Sequence, residues 1–115
     1  MSEFKRIQVR FYQTASRKEP VREWLTSLSR EDRRVVGTDI KTVEYGWPLG
    51  MPTCRSLGSG LWEVRSAISD GRIARVLFCI DDGTMYLLSG FIKKTQRTPL
   101  DAIETARRRM KELGL

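Results

Sequence analysis

The chain has 115 residues, 40% hydrophobic and 30% charged, which suits one domain over 1–115 with its own core and argues against intrinsic disorder. Twenty-one Lys and Arg against fourteen Asp and Glu give a net charge of +7, pointing to polyanionic partners: nucleic acid, the ribosome or an acidic protein. With no histidine, and two cysteines in no CxxC spacing, neither a metal centre nor another cofactor is expected, and any catalysis falls to carboxylate, lysine, arginine, tyrosine or the substrate itself.

Residues 1–6 carry no apolar signal segment, and no later stretch approaches bilayer-spanning length, so a soluble cytoplasmic protein without membrane contact is expected. Ile7, Val9 and Phe11 alternate with Gln8, Arg10 and Tyr12, which predicts a half-buried strand over 7–12. Pro20 suits a first helical turn, and Val21, Trp24, Leu25 and Leu28 follow at helical spacing, so a helix covers about 19–28 with Trp24 in the core. Ser29 can cap a second helix whose apolar face is Val36, Ile40 and Val43 and which ends near Tyr45, before Gly46 and Pro48. These two helices should form a hairpin.

Residues 46–60 are rich in glycine and proline and read as one long irregular connection. Strand-like runs then begin at Leu61, Ile73 and Met85, punctuated by Asp70-Gly71 and Asp82-Gly83 at hairpin spacing, which predicts an antiparallel meander. Cys79 lies in one of these runs as a small hydrophobe. Thr98-Pro99 opens a last helix with Ile103, Ala106, Met110 and Leu113 on its apolar stripe, and the basic run 107–109 reads as dipole complementation on a solvated face. The expected fold is therefore α+β in the order β-α-α-β-β-β-α, an antiparallel sheet with helices packed on one face and the other partly open.

Cations on apolar strands are the feature that calls for explanation, because a buried arginine costs stability unless its charge is compensated. Glu63 and Arg65 share a strand face, and the hairpin decides whether Arg75 joins them. A two-residue Asp70-Gly71 turn would pair Ser66 with Arg75 and separate the arginines; a loop one residue longer, or a bulge, would pair Ala67 with Arg75 and unite them. The second register is favoured, since the first aims one arginine at the helix-covered core. Trp62 then lies on the opposite face, against the helices, and one of Lys93 or Lys94 stands at the rim.

The order of elements, the Leu61-Trp62-Glu63-Val64-Arg65 strand, the Arg75-Val76-Leu77-Phe78 strand and the Gly90-Phe91-Ile92-Lys93-Lys94-Thr95 segment followed by Pro99 resemble the RelE/ParE toxin superfamily, and within it the phage-related, HigB-like toxins. The resemblance implies the toxin half of a type II toxin-antitoxin pair, a ribosome-dependent endoribonuclease that cuts mRNA without a metal. It also implies a neighbouring antitoxin, often a helix-turn-helix repressor, through which alone operator DNA is reached. Carried over, Arg75 matches the mid-sheet arginine associated with the scissile phosphate, Arg65 and Glu63 fall among strand positions that relatives make basic, and Lys93 or Lys94 matches a cation after the last strand. Glu63 departs from that pattern in charge and is a candidate to assist proton transfer. Two other functions fit the same scaffold: a ParE-like, non-catalytic inhibitor of gyrase, and a basic nucleic-acid-binding module.

Overall fold

The computed structural model describes residues 7–50, 52–93 and 98–115. In chain order the elements are β1 (Gln8–Phe11), α1 (Pro20–Ser27), α2 (Arg30–Gly46), β2 (Cys54–Gly58), β3 (Leu61–Ala67), β4 (Ile73–Asp81), β5 (Thr84–Lys93) and α3 (Leu100–Glu112). The five strands form one sheet in the order β1-β5-β4-β3-β2. From β1 the chain crosses by way of α1 and α2 to the far edge, then returns strand by strand until β5 lies beside β1. That last pair is parallel and the others antiparallel, so the sheet is mixed rather than purely antiparallel.

Local chemistry accounts for the helices. Proline opens α1, where its missing N–H and fixed φ are harmless, and Val21 is its fully buried residue. Ser29 caps α2 by accepting from the Asp32 N–H at 3.1 Å, and Val36, Ile40 and Val43 point into the core. Both helix positions agree with the sequence reading.

Three further expectations need correction. The connection 46–60 contains a strand, β2, closed onto β3 by a turn in which Gly58, Ser59 and Gly60 all have positive φ. Its signal was hidden because Cys54 to Gly58 has no β-branched residue and little apolar alternation. Secondly, the helices do not share one face. Residues of α1 and α2 pack with Val64, Val76, Phe78, Met85 and Leu87 on one side, whereas Ala106, Ile103 and Met110 of α3 pack with Leu61, Leu77, Cys79 and Leu88 on the other. The strands β4 and β5, apolar on both faces, are buried from both sides, which is why they occupy the interior of the sheet.

Thirdly, the β3–β4 register is displaced. Arg75 stands opposite Arg65, not Ala67, because the connection is a five-residue loop over 68–72. Asp70 and Gly71 adopt positive φ there, at 61° and 67°, and the buried Asp32 of α2 holds the loop by accepting from the Ser69 N–H (3.1 Å), the Ser69 hydroxyl (3.0 Å) and Arg72 Nη2 (2.9 Å). A shift of two residues preserves side-chain parity, so Glu63, Arg65 and Arg75 do share one face. The irregularity in the central ladder lies instead between β4 and β5, where Leu77 pairs with Ser89 and Phe78 with Leu87. Leu88 is the extra residue, and it reverses the parity of β5 so that Tyr86, Leu88 and Phe91 all join the α3 side.

One glycine is fixed by packing. A Cβ added at Gly90 would lie 2.4 Å from Cε3 of Trp24, so α1 seats its indole directly on the backbone of β5. Trp62 also packs on the α1 and α2 side, edge-on to Trp47 at 5.0 Å. Both tryptophans thus belong to the core, as their spacing implied.

Candidate functional site

The strand cations converge on the face that carries α3. Arg65 and Arg75 are directly paired, Glu63 is two residues along β3, and Arg55 of β2 pairs with Glu63. Four neighbouring positions therefore combine three guanidinium groups with one carboxylate. Arg55 is the member that sequence reasoning missed. The available clue was Arg55 and Leu57 alternating with Cys54 and Ser56 just before a Gly-Ser-Gly turn, which is a weak hairpin signal.

Depth divides the cluster. Arg75 and Glu63 have no exposed surface, the Arg65 side chain is 15% exposed, and Arg55 is exposed. The Thr98 hydroxyl, two residues before α3, donates to Glu63 Oε2, while Arg65 Nε stands 3.9 Å from Oε1. Burial lowers the pKa of Arg75; Glu63 opposes that shift, and Arg65 and Arg55 add to it. Guanidinium tolerates such a position because its charge is delocalised and weakly hydrated, so it persists where an ammonium would lose its proton.

Two depressions flank the buried pair. One, of about 340 Å³, is lined by Arg55, Leu57, Thr98, Leu100 and Ile103. The other, of about 270 Å³, includes Arg65 with Thr53, Ser66 and Ile73. Solvent thus meets Arg55 on β2 and Arg65 on β3, with Arg75 buried on the next strand, β4. Such an arrangement can hold a dianionic or phosphodiester oxygen at its rim and add the field of a further cation from a water-poor interior.

Of the residues expected to act, the structure brings Glu63, Arg65 and Arg75 together. Lys93 closes β5, paired with Ile73, but its side chain and the whole of Lys94 lie outside the described residues. The arginines of α3 are used differently from expectation. Arg107 donates to the carbonyls of Leu57 (3.2 Å) and Gly58 (3.1 Å), and Arg109 to that of Leu88 (2.6 Å), so these two clamp the helix onto the sheet; Arg108 stays exposed. At the helix end the Tyr12 hydroxyl donates to Glu112, the chief reason its pKa is raised.

Both cysteines are buried free thiols, pushed up to about 11 by burial and so poor nucleophiles and ligands. Among the described residues, no three Cys, Asp or Glu side chains converge as a metal would require. No helix among them is long and apolar enough to cross a membrane.

A search of curated proteins finds no match to the chain. A family model, described as phage derived protein Gp49-like (DUF891), matches residues 23–111, which takes in α2, every strand from β2 to β5 and most of α3. With the cationic sheet face lying wholly inside that match, the chain belongs to the Gp49-like family of phage-derived proteins, within the RelE toxin-like superfamily.

Proposed function

We propose that this protein is the toxin of a type II toxin-antitoxin pair, of the HigB-like branch, and that it arrests translation by cutting mRNA on the ribosome. The observation that carries the proposal is the convergence of Arg55, Arg65 and Arg75 with Glu63 on one sheet face of a chain that has no histidine. Cleavage by the neighbouring 2′-hydroxyl needs that oxygen in line with phosphorus, charge on the pentacoordinate phosphorane neutralised, and the leaving 5′-oxygen protonated. Positioned cations supply the first two without a metal.

Arg55 and Arg65, at the openings, seat the phosphodiester; Arg75 strengthens the field from behind. Arg75 has no exposed surface, so it acts on the phosphate through its field unless the side chains that cover it move. Glu63, equally enclosed, is assigned a positioning role: its carboxylate orients Arg65 and offsets repulsion among the guanidiniums. Proton transfer then falls to water or to the RNA itself. The partners that go with this reading are the ribosome, mRNA and a cognate antitoxin encoded nearby, which alone would bring operator DNA to the complex.

The test is cell-free translation with the purified protein and mapping of mRNA 5′ ends. Cuts that require ribosomes, lost about a hundredfold in Arg65→Ala and Arg55→Ala but retained in Lys94→Ala, are expected. Folded wild-type protein that leaves mRNA intact would sink the enzyme reading, and inhibited gyrase supercoiling in the same preparation would replace it with the ParE-like one.

A further inference from the structure

A second cationic surface lies on the other side of the sheet. Arg30, Arg33, Arg34 and Lys41 of α2 are all exposed, and Arg30 and Arg34, with Glu31, line a depression of about 410 Å³. Their placement runs against local electrostatics, because three arginines sit in the first turns of a helix, where the macrodipole is positive and cations are disfavoured. Asp32, which would offset them, is turned inward and consumed by Ser69 and Arg72. Outward, the end of the helix therefore presents Arg30, Arg33, Arg34 and the half-buried Arg72 against the exposed Glu31 and, on the adjoining 68–72 loop, Asp70.

We infer that this face of α2 binds the phosphate backbone of double-helical RNA. Its chemistry separates that ligand from the alternatives. A protein partner is held by buried aromatic or aliphatic anchors, whereas the exposed positions among these cations are Glu31, Gly37, Thr38 and Thr42, with Tyr45 as a lone aromatic one turn beyond Lys41. Single-stranded RNA needs successive aromatic platforms for its bases, and this helix exposes one aromatic, Tyr45, at the end away from Arg30, Arg33 and Arg34. A convex helix carrying point charges one turn apart, about 6 Å between Arg30 and Arg34, suits a duplex read by shape and charge. At Gly37 a Cβ would meet nothing within 4 Å, so the ridge is open between Arg34 and Lys41.

The inference extends the proposed function, in that a toxin working on the ribosome would grip structured RNA with one face and a single strand with the other. It is tested separately from cleavage. Fluorescence anisotropy with a labelled RNA hairpin duplex, titrated between roughly 50 and 300 mM salt, should show wild-type affinity falling steeply with salt. Arg30→Glu with Arg34→Glu should weaken binding at least about tenfold and reduce the slope of log K against log salt by about two. Arg108→Ala, exposed on α3 at the opposite side of the sheet, should leave duplex affinity within about threefold. All substitutions on α2 are at exposed positions, and unchanged circular dichroism and melting would certify the fold.

Unaltered affinity and slope in the charge-reversed variant would overturn the inference. So would a variant that keeps RNA binding but loses its antitoxin, which would hand the surface to an acidic protein. Duplex binding by a wild-type protein that cuts no mRNA would instead leave this surface standing and remove the enzymatic reading.

Discussion

A guanidinium without exposed surface is expensive, and at Arg75 the Glu63 carboxylate opposes the effects of burial and of Arg65 and Arg55. Glu63 is thus worth more to the fold than its weak 3.9 Å approach to Arg65 suggests. Glu63→Ala should lower unfolding free energy by about 3–5 kcal/mol in urea titration, because it strands buried positive charge, whereas Glu63→Gln keeps an acceptor for Thr98 and should cost less. The other instructive carboxylate is Asp32. The Ser69 N–H, more than the Ser69 hydroxyl or Arg72, holds its carboxyl below the usual 3.8 against the opposing effect of burial. A depressed pKa contributes stability in full above the unfolded value and loses it as pH falls through the folded one. Asp32→Asn should therefore lower the urea midpoint at about pH 7 and flatten its fall below about pH 4; an unchanged acid limb would show that the 68–72 loop is held by other means.

At the level of elements, α3 is the piece whose attachment can be read atom by atom. Arg107 and Arg109 bind sheet carbonyls, the Tyr12 hydroxyl binds Glu112 at one end, and Thr98 binds Glu63 just before the other. Arg109→Ala removes a charge-assisted bond to Leu88 and the cation over the Tyr12 ring, so amide exchange in α3 should speed by about 1.5–3 kcal/mol of local opening while α2 is unaffected. The helices themselves were legible from Pro20, Ser29 and Pro99 and from apolar residues at helical spacing. Two features were not. The strand β2 offers a pleated surface only because β3 lies beside it, so its five residues carry little signal alone. The side on which α3 packs was obscured because Leu77, Cys79 and Leu88 would suit either layer, and because the bulge at Leu88 changes parity without any glycine to announce it. The shared face of Glu63, Arg65 and Arg75 followed from strand parity, although that face is the one α3 covers and Arg75 is buried on it; Arg55 and the exact register were not recoverable.

Across the whole molecule, one sheet separates two unequal cores. Among the described residues, thirteen buried positions belong to the α1 and α2 side and six to the α3 side, and each side holds one cysteine: Cys54 in the larger, Cys79 in the smaller. With both thiols buried and pushed up to about 11, neither should react with a thiol reagent in the native state at about pH 8. Single-thiol variants made by Cys79→Ala and Cys54→Ala then report each layer separately. The smaller core has less apolar area to hold it, so Cys79 should become reactive at lower urea than Cys54. Coincident labelling would instead establish that both layers open in one step. Early release of the α3 layer matters for chemistry, since Arg75 is buried on that side of the sheet.

The seat of Trp24 on Gly90 bears on how mutants of this protein should be interpreted. Gly90 pairs with Val76, and the next residue, Phe91, pairs with Arg75. Any side chain at position 90 wedges α1 away from β5 and displaces the strand against which the central arginine is registered. A genetic selection scored on loss of activity would therefore recover Gly90 substitutions beside those of the arginines, from the opposite side of the sheet and without any contact to substrate. Only a stability measurement on each survivor would tell the two groups apart.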